Sequence, residues 1–120
     1  VFLAGMPEAT ALQVMGQLGL PRYTESSITD AKLYFEQLAE VRRSGYAIDR
    51  GEYLSGVNAV AAGLGQHRGM PLAVWVVGFA ESMGPEKIER VVQAILDTAA
   101  RLRDLLHTAR SAETIPSAGL

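Results

Sequence analysis

The chain has 120 residues, 48% of them hydrophobic and 20% charged, with a mean hydropathy of +0.12 and a formal charge of −2. That composition suits one folded domain and excludes global disorder, and its mixed charge excludes nucleic-acid binding through a concentrated basic face. The lack of cysteine excludes disulfides, thiolate metal sites and cysteine nucleophiles, and no apolar run approaches a membrane span.

The opening VFLAGMPE lacks an initiator Met and the basic flank of a signal peptide, so it reads as the interior of a longer chain. Pro7 suits the first turn of a helix, Leu12, Met15 and Leu18 follow at helical spacing, and Gly19 supplies a stop. A second helix is predicted from Asp30 to Arg43. Thr29 is its expected cap, with Ile28 and Leu33 as a hydrophobic staple. Arg42 and Arg43 suit the negative end of its dipole, and Gly45 suits a left-handed C-terminal cap.

After Gly45 the pattern changes to strands. Tyr46 to Tyr53 reads as an irregular strand kinked at Gly51. Val57 to Leu64 and Leu72 to Phe79 read as an antiparallel hairpin with a turn over Gly65 to Met70. From Pro85, the apolar residues Ile88, Val91, Val92, Ile95, Leu96, Ala99, Leu102 and Leu106 recur at helical spacing. Residues 111–120 are small and polar enough to form a flexible tail, which leaves 1–110 as the folded part. The sum is an α+β domain: an antiparallel sheet with helices packed on it and a long C-terminal helix.

A turn of that length sets Leu64 opposite Pro71, Ala59 opposite Val76 and Val57 opposite Gly78. Period-two alternation then places Val57, Ala59, Ala61, Val74, Val76 and Gly78 on one face. Val60, Leu64, Trp75, Val77 and Phe79 fall on the other, with Trp75 and Phe79 as anchors against the long helix. Both faces are apolar, so both are expected to be covered. The small-residue face accepts either close packing or a ligand. Asp49 lies in an otherwise apolar segment. It either pairs with Arg50, Arg43 or backbone amides, or anchors a ligand at a cavity wall.

The stretch RRSGYAIDRGEYLSGVNAVAA, Arg42 to Ala62, resembles the signature of IclR-type effector domains. That signature is Gly-Tyr-x-x-Asp, then Glu three residues on, then Gly-Val or Gly-Leu leading into an apolar strand. FLAGMPE, LPRYTESSITD and the segment from Met70 to His107 resemble the flanking parts in the same order. The resemblance implies a GAF-like fold and a small-molecule effector. It also implies a cytoplasmic regulator that binds DNA through a separate N-terminal winged helix-turn-helix, as a homodimer or tetramer. No cofactor is implied.

Position by position, the effector contacts it implies are Asp49, Val57, Ala59 (where relatives commonly carry Cys), and Val76 and Gly78 (where relatives carry alternate Ser). Losing those three polar groups suggests an apolar or aromatic effector, such as an aromatic acid, more than a small keto acid.

Two other readings compete. An enzyme has little to work with, because His67 and His107 lack a neighbouring nucleophile or a metal-spaced partner. Glu52, three residues from Asp49 along a strand, is expected on the opposite face, which disfavours an acid–base dyad. The alternative non-enzymatic reading is an oligomerisation module with a degenerate pocket, using Leu102, Leu105 and Leu106.

Overall fold

The computed structural model describes residues 1–113. The elements in order are α1 (Glu8–Leu18), α2 (Ala31–Ser44), β1 (Tyr46–Arg50), β2 (Val57–His67), β3 (Met70–Phe79) and α3 (Pro85–Glu113). The three strands form one antiparallel sheet in the order β1–β2–β3. The α+β class and the long C-terminal helix are as expected. Residues 111–113 complete α3 and are not part of a tail, and the rest of the expected tail lies outside the described residues.

The helix ends follow local chemistry. Asp30, not Thr29, caps α2: its Oδ1 accepts a hydrogen bond from the Leu33 N–H at 3.0 Å. Leu33 is 55% exposed, so no hydrophobic staple forms there. Gly45 takes the left-handed conformation at φ 86°, and its N–H reaches the Val41 carbonyl at 2.9 Å. Strand β1 is shorter than predicted, since Gly51 turns the chain out of the sheet at φ 71°.

The hairpin departs most from expectation. Its connection is a two-residue turn, Arg68–Gly69, with φ of 52° and 77°. Positive φ at both central residues matches the twist of the flanking strands. An irregularity between Gly63 and Gly65 leaves Leu64 unpaired. Together these shift the register by one residue: Ala59 faces Val77, Val60 faces Val76, Ala61 faces Trp75 and Asn58 faces Gly78. A one-residue slip moves a whole strand to the other face.

Helix α3 covers one face of the sheet. Ile88, Val92, Ile95 and Ala99 pack there against Val60, Ala62 and Met83, joined by Leu64, Val74, Tyr46 and Ile48. Fully burying such an aliphatic side chain contributes about 1.5–3 kcal/mol, which makes this cluster the main source of stability. Val76 lies on this side, opposite the fully buried Val60. Gly78 does too, because a Cβ there would stand 3.0 Å from Met83 Sδ. Asn58 Nδ2 donates to the Met83 carbonyl at 3.1 Å, and Arg103 donates to the Gly63 carbonyl at 2.8 Å.

A smaller cluster lies on the other side. Ala4, Met15 and Leu38 are buried there with Leu3, Leu20, Tyr34, Phe35 and Val41 packed around them. Arg42 Nε holds the N-terminal turn to α2 by donating to the Ala4 carbonyl at 2.8 Å. Trp75 and Phe79 belong to this side of the sheet and are 67% and 73% exposed. Their expected role as anchors under the long helix is therefore corrected.

Candidate functional site

Between the sheet and α2 lies a cavity of about 450 Å³. Its floor consists of Ala47, Ala59, Ala61 and Ala73 from all three strands, with Trp75 beside Ala61. Tyr34, Leu38 and Val41 of α2 form the opposite wall. Alternation brings these four alanines to one face, and their short side chains leave space between the sheet and the helix. Among the described residues, the polar groups lining the cavity are those of Tyr34, Gln37, Asp49, Glu52 and the Trp75 indole, and none of the lining side chains is Lys, Arg or His.

Asp49 and Glu52 sit together, against the expectation that they face opposite ways. The strand ends at Arg50, Gly51 reverses the chain, and the Glu52 N–H donates to Asp49 Oδ1 at 2.7 Å. So the backbone-amide pairing foreseen for Asp49 is real, and it coexists with a place on the cavity wall. The turn is also held from outside. Thr24 Oγ1 donates to the Gly51 carbonyl at 2.5 Å, and Ser27 Oγ donates to the Glu52 carbonyl at 2.5 Å. Ser27 Oγ in turn accepts from the Tyr23 and Thr24 N–H groups at 2.9 Å each.

Burial pushes the Glu52 carboxyl above its ordinary value. The charge of Asp49 adds to the shift, and Arg50 offsets part of it. Burial, followed by the Glu52 charge, likewise raises the Tyr34 phenol, which keeps it a neutral hydroxyl. Tyr34 and Glu52 also line a second cavity of about 470 Å³ behind the first, with Leu18, Leu20, Ile28, Tyr23 and Tyr53. There the Tyr23 and Tyr53 rings meet edge to face at 4.9 Å.

Of the residues singled out in the sequence, Asp49 and Ala59 line the first cavity. Val57 shares their side of the sheet, two residues from Ala59, but is not among the lining residues. Val76 and Gly78 belong to the α3 side, because the register differs by one. The alternate positions of β3 on the cavity side are Ala73, Trp75 and Val77, of which Ala73 and Trp75 line the cavity.

Sequence reasoning missed Ala47, Ala73, Tyr34 and Glu52. The available signal was alanine at alternate positions of β2, Ala59 and Ala61, with one more alanine on each neighbouring strand. His67 stands at the hairpin tip opposite Met70, His107 is exposed on α3, and neither lines the cavity. Among the described residues, no cluster of three or more His, Asp or Glu could hold a metal ion.

The family described as bacterial transcriptional regulator IclR C-terminal matches residues 1–103. The chain belongs to that family. It is 26% identical over 102 residues to the HTH-type transcriptional repressor AllR of Klebsiella pneumoniae, covering 84% of this chain and 38% of the repressor. The IclR-type regulator of Alicyclobacillus acidocaldarius superposes with a TM-score of 0.75 at 35% identity, over 86% of this chain and 41% of that one. A double mutant of the Acinetobacter PobR inducer-binding domain, in complex with 3-hydroxybenzoic acid, gives 0.77 at 27% identity, over 87% and 61%.

The chain thus spans well under half the length of the curated IclR-type repressor it matches. Both that relative and the family description point to regulators and not to enzymes. Among the described residues, no helix is long and apolar enough to cross a membrane.

Proposed function

We propose that this chain is the effector-sensing part of a larger transcriptional regulator, and that the cavity between α2 and the sheet receives the effector. The observation that carries this reading is the alanine floor beneath a helix, walled at one end by Asp49 and Glu52, in an IclR C-terminal chain. A packed core would close such a space, and ligand sites combine apolar walls with a few fixed polar groups. The related PobR inducer-binding domain, solved with 3-hydroxybenzoic acid, supports a ring-sized effector.

In the full-length protein, an N-terminal winged helix-turn-helix contacts DNA, and the protein works in the cytoplasm as a dimer or tetramer. An effector changes DNA binding only by holding the DNA-competent and DNA-incompetent states with different affinity.

The test is a metabolite panel of aromatic acids and small keto acids screened against the full-length protein. Binding is read by calorimetry and by the fluorescence of Trp75, which lines the cavity. A genuine effector alters Trp75 emission and shifts operator binding, and Asp49→Asn weakens both responses. If every panel member that shifts operator binding leaves Trp75 emission and Asp49→Asn affinity unchanged, the effector binds elsewhere.

A further inference from the structure

We infer that the second cavity, beside the Tyr23–Tyr53 pair, is a binding site for a small organic cation that carries methyl groups on its ammonium nitrogen. This site is separate from the effector site proposed above and does not depend on the sensing role.

The site follows from how two loops are fastened. The chain after α1 and the turn at Gly51 lie outside helices and strands, yet the Thr24 and Ser27 hydroxyls clamp the Gly51 and Glu52 carbonyls. The Tyr23 and Thr24 N–H groups are bound to Ser27 Oγ, and the Ser26 N–H donates to Thr24 Oγ1 at 3.0 Å. The two loops thereby hold Tyr23 and Tyr53 with ring centroids 4.9 Å apart and 68° between the planes, although both side chains are exposed. Rings ordered in advance lose little further freedom when a ligand arrives.

Three rings and one carboxyl then share a space of about 470 Å³. Tyr34, in the first turn of α2, supplies the third ring and Glu52 the carboxyl. The face of an aromatic ring carries negative potential, and edge-to-face contact leaves at least one face of each partner uncovered by the other. Such faces attract a cation, most strongly where water is partly excluded. Glu52 strengthens the preference. Burial and the Asp49 charge disfavour its ionised form, and Arg50 offsets part of this, so an ammonium group beside it would stabilise a charge that the fold holds at a disadvantage. Leu20 and Ile28 add apolar wall. They suit methyl groups, whereas N–H donors turned towards them would lose their hydrogen bonds to water.

Calorimetric titration of the full-length protein with choline and with 3,3-dimethylbutan-1-ol tests the assignment. The two probes have the same shape and differ in a quaternary nitrogen or a quaternary carbon, so apolar burial cancels between them. Choline is expected to bind at least tenfold tighter. A cation–π contact is worth about two- to thirtyfold in affinity, so Tyr23→Leu and Tyr53→Leu should each weaken choline within that range. Glu52→Gln should weaken it too, and none of the three should alter the affinity of the neutral alcohol. Tyr53→Phe keeps the ring and should retain choline. Ala61→Leu extends into the first cavity and should leave choline binding unchanged.

Equal binding of the two probes overturns the assignment, as does failure of choline to bind at millimolar concentration. Loss of choline binding in folded Ala61→Leu, or full retention in folded Tyr23→Leu and Tyr53→Leu, places the cation elsewhere and overturns it as well. The sensing role stands or falls separately, on the metabolite panel.

Discussion

Leucine substituted at Ala61 and at Gly78 should have opposite consequences, although both positions carry small residues on neighbouring strands. Ala61 forms part of the floor of a cavity of about 450 Å³, so Ala61→Leu extends into open space. Each methylene buried there contributes at most about 0.8 kcal/mol, which makes the stability change zero to roughly 2 kcal/mol in the stabilising direction. The same carbons occupy the ligand's volume, so effector affinity should fall by more than about a hundredfold, the equivalent of roughly 3 kcal/mol.

At Gly78 a Cβ alone stands 3.0 Å from Met83 Sδ and 3.6 Å from Met83 Cβ, and Met83 is 3% exposed within the α3 core. Gly78→Leu should therefore cost about 1–3 kcal/mol through overpacking. For a domain of this size each kcal/mol lowers the midpoint by roughly 4–8 °C. Ligand affinity should be retained wherever the variant is folded. Thermal unfolding by circular dichroism, paired with effector titrations followed through Trp75, separates the two outcomes. Loss of binding at an unchanged midpoint in Gly78→Leu would refute the hairpin register, as would heavy destabilisation in Ala61→Leu.

Three further outcomes are expected. Because burial and Asp49 raise the Glu52 carboxyl above its ordinary 4.5, folding takes up a proton there. This stabilising contribution is complete below that ordinary value and is lost as pH rises through the elevated one, so Glu52→Gln should flatten the decline in denaturation curves recorded from pH 4 to 8. Replacing Thr24 and Ser27 together by Val and Ala removes the hydroxyls that clamp the Gly51 and Glu52 carbonyls. The double variant should lose roughly 1–3 kcal/mol in urea denaturation and bind effector more weakly, because the Asp49–Glu52 turn loosens. Asp30→Ala deletes the α2 cap and should cost about 0.5–2 kcal/mol in the same assay, with ligand affinity nearly unchanged.

Much of the secondary structure is legible because its causes are local. The spacing of Ile88, Val92, Ile95 and Ala99 specifies the buried stripe of α3, and Gly45 at φ 86° ends α2 where a glycine was expected. Asp49 was identifiable because a carboxylate in an apolar stretch requires partners, and it has both a backbone amide and a cavity wall. Glu52 was not identifiable. Strand alternation sends it the other way, and only the reversal at Gly51, held by hydroxyls about twenty-five residues upstream, brings it beside Asp49.

The sequence by itself determined the α+β class, the long closing helix and the presence of small side chains on one face of the strands, since propensity and periodicity act over a few neighbouring residues. Tertiary structure alone decided which small residues face the cavity. A tight turn at Arg68–Gly69 and the irregularity at Leu64 set the register, and one residue of slip exchanged Val76 and Gly78 for Ala73 and Trp75. Alternation specifies that a strand has two faces, but only its pairing partner and the bodies packed above and below select which one is inside.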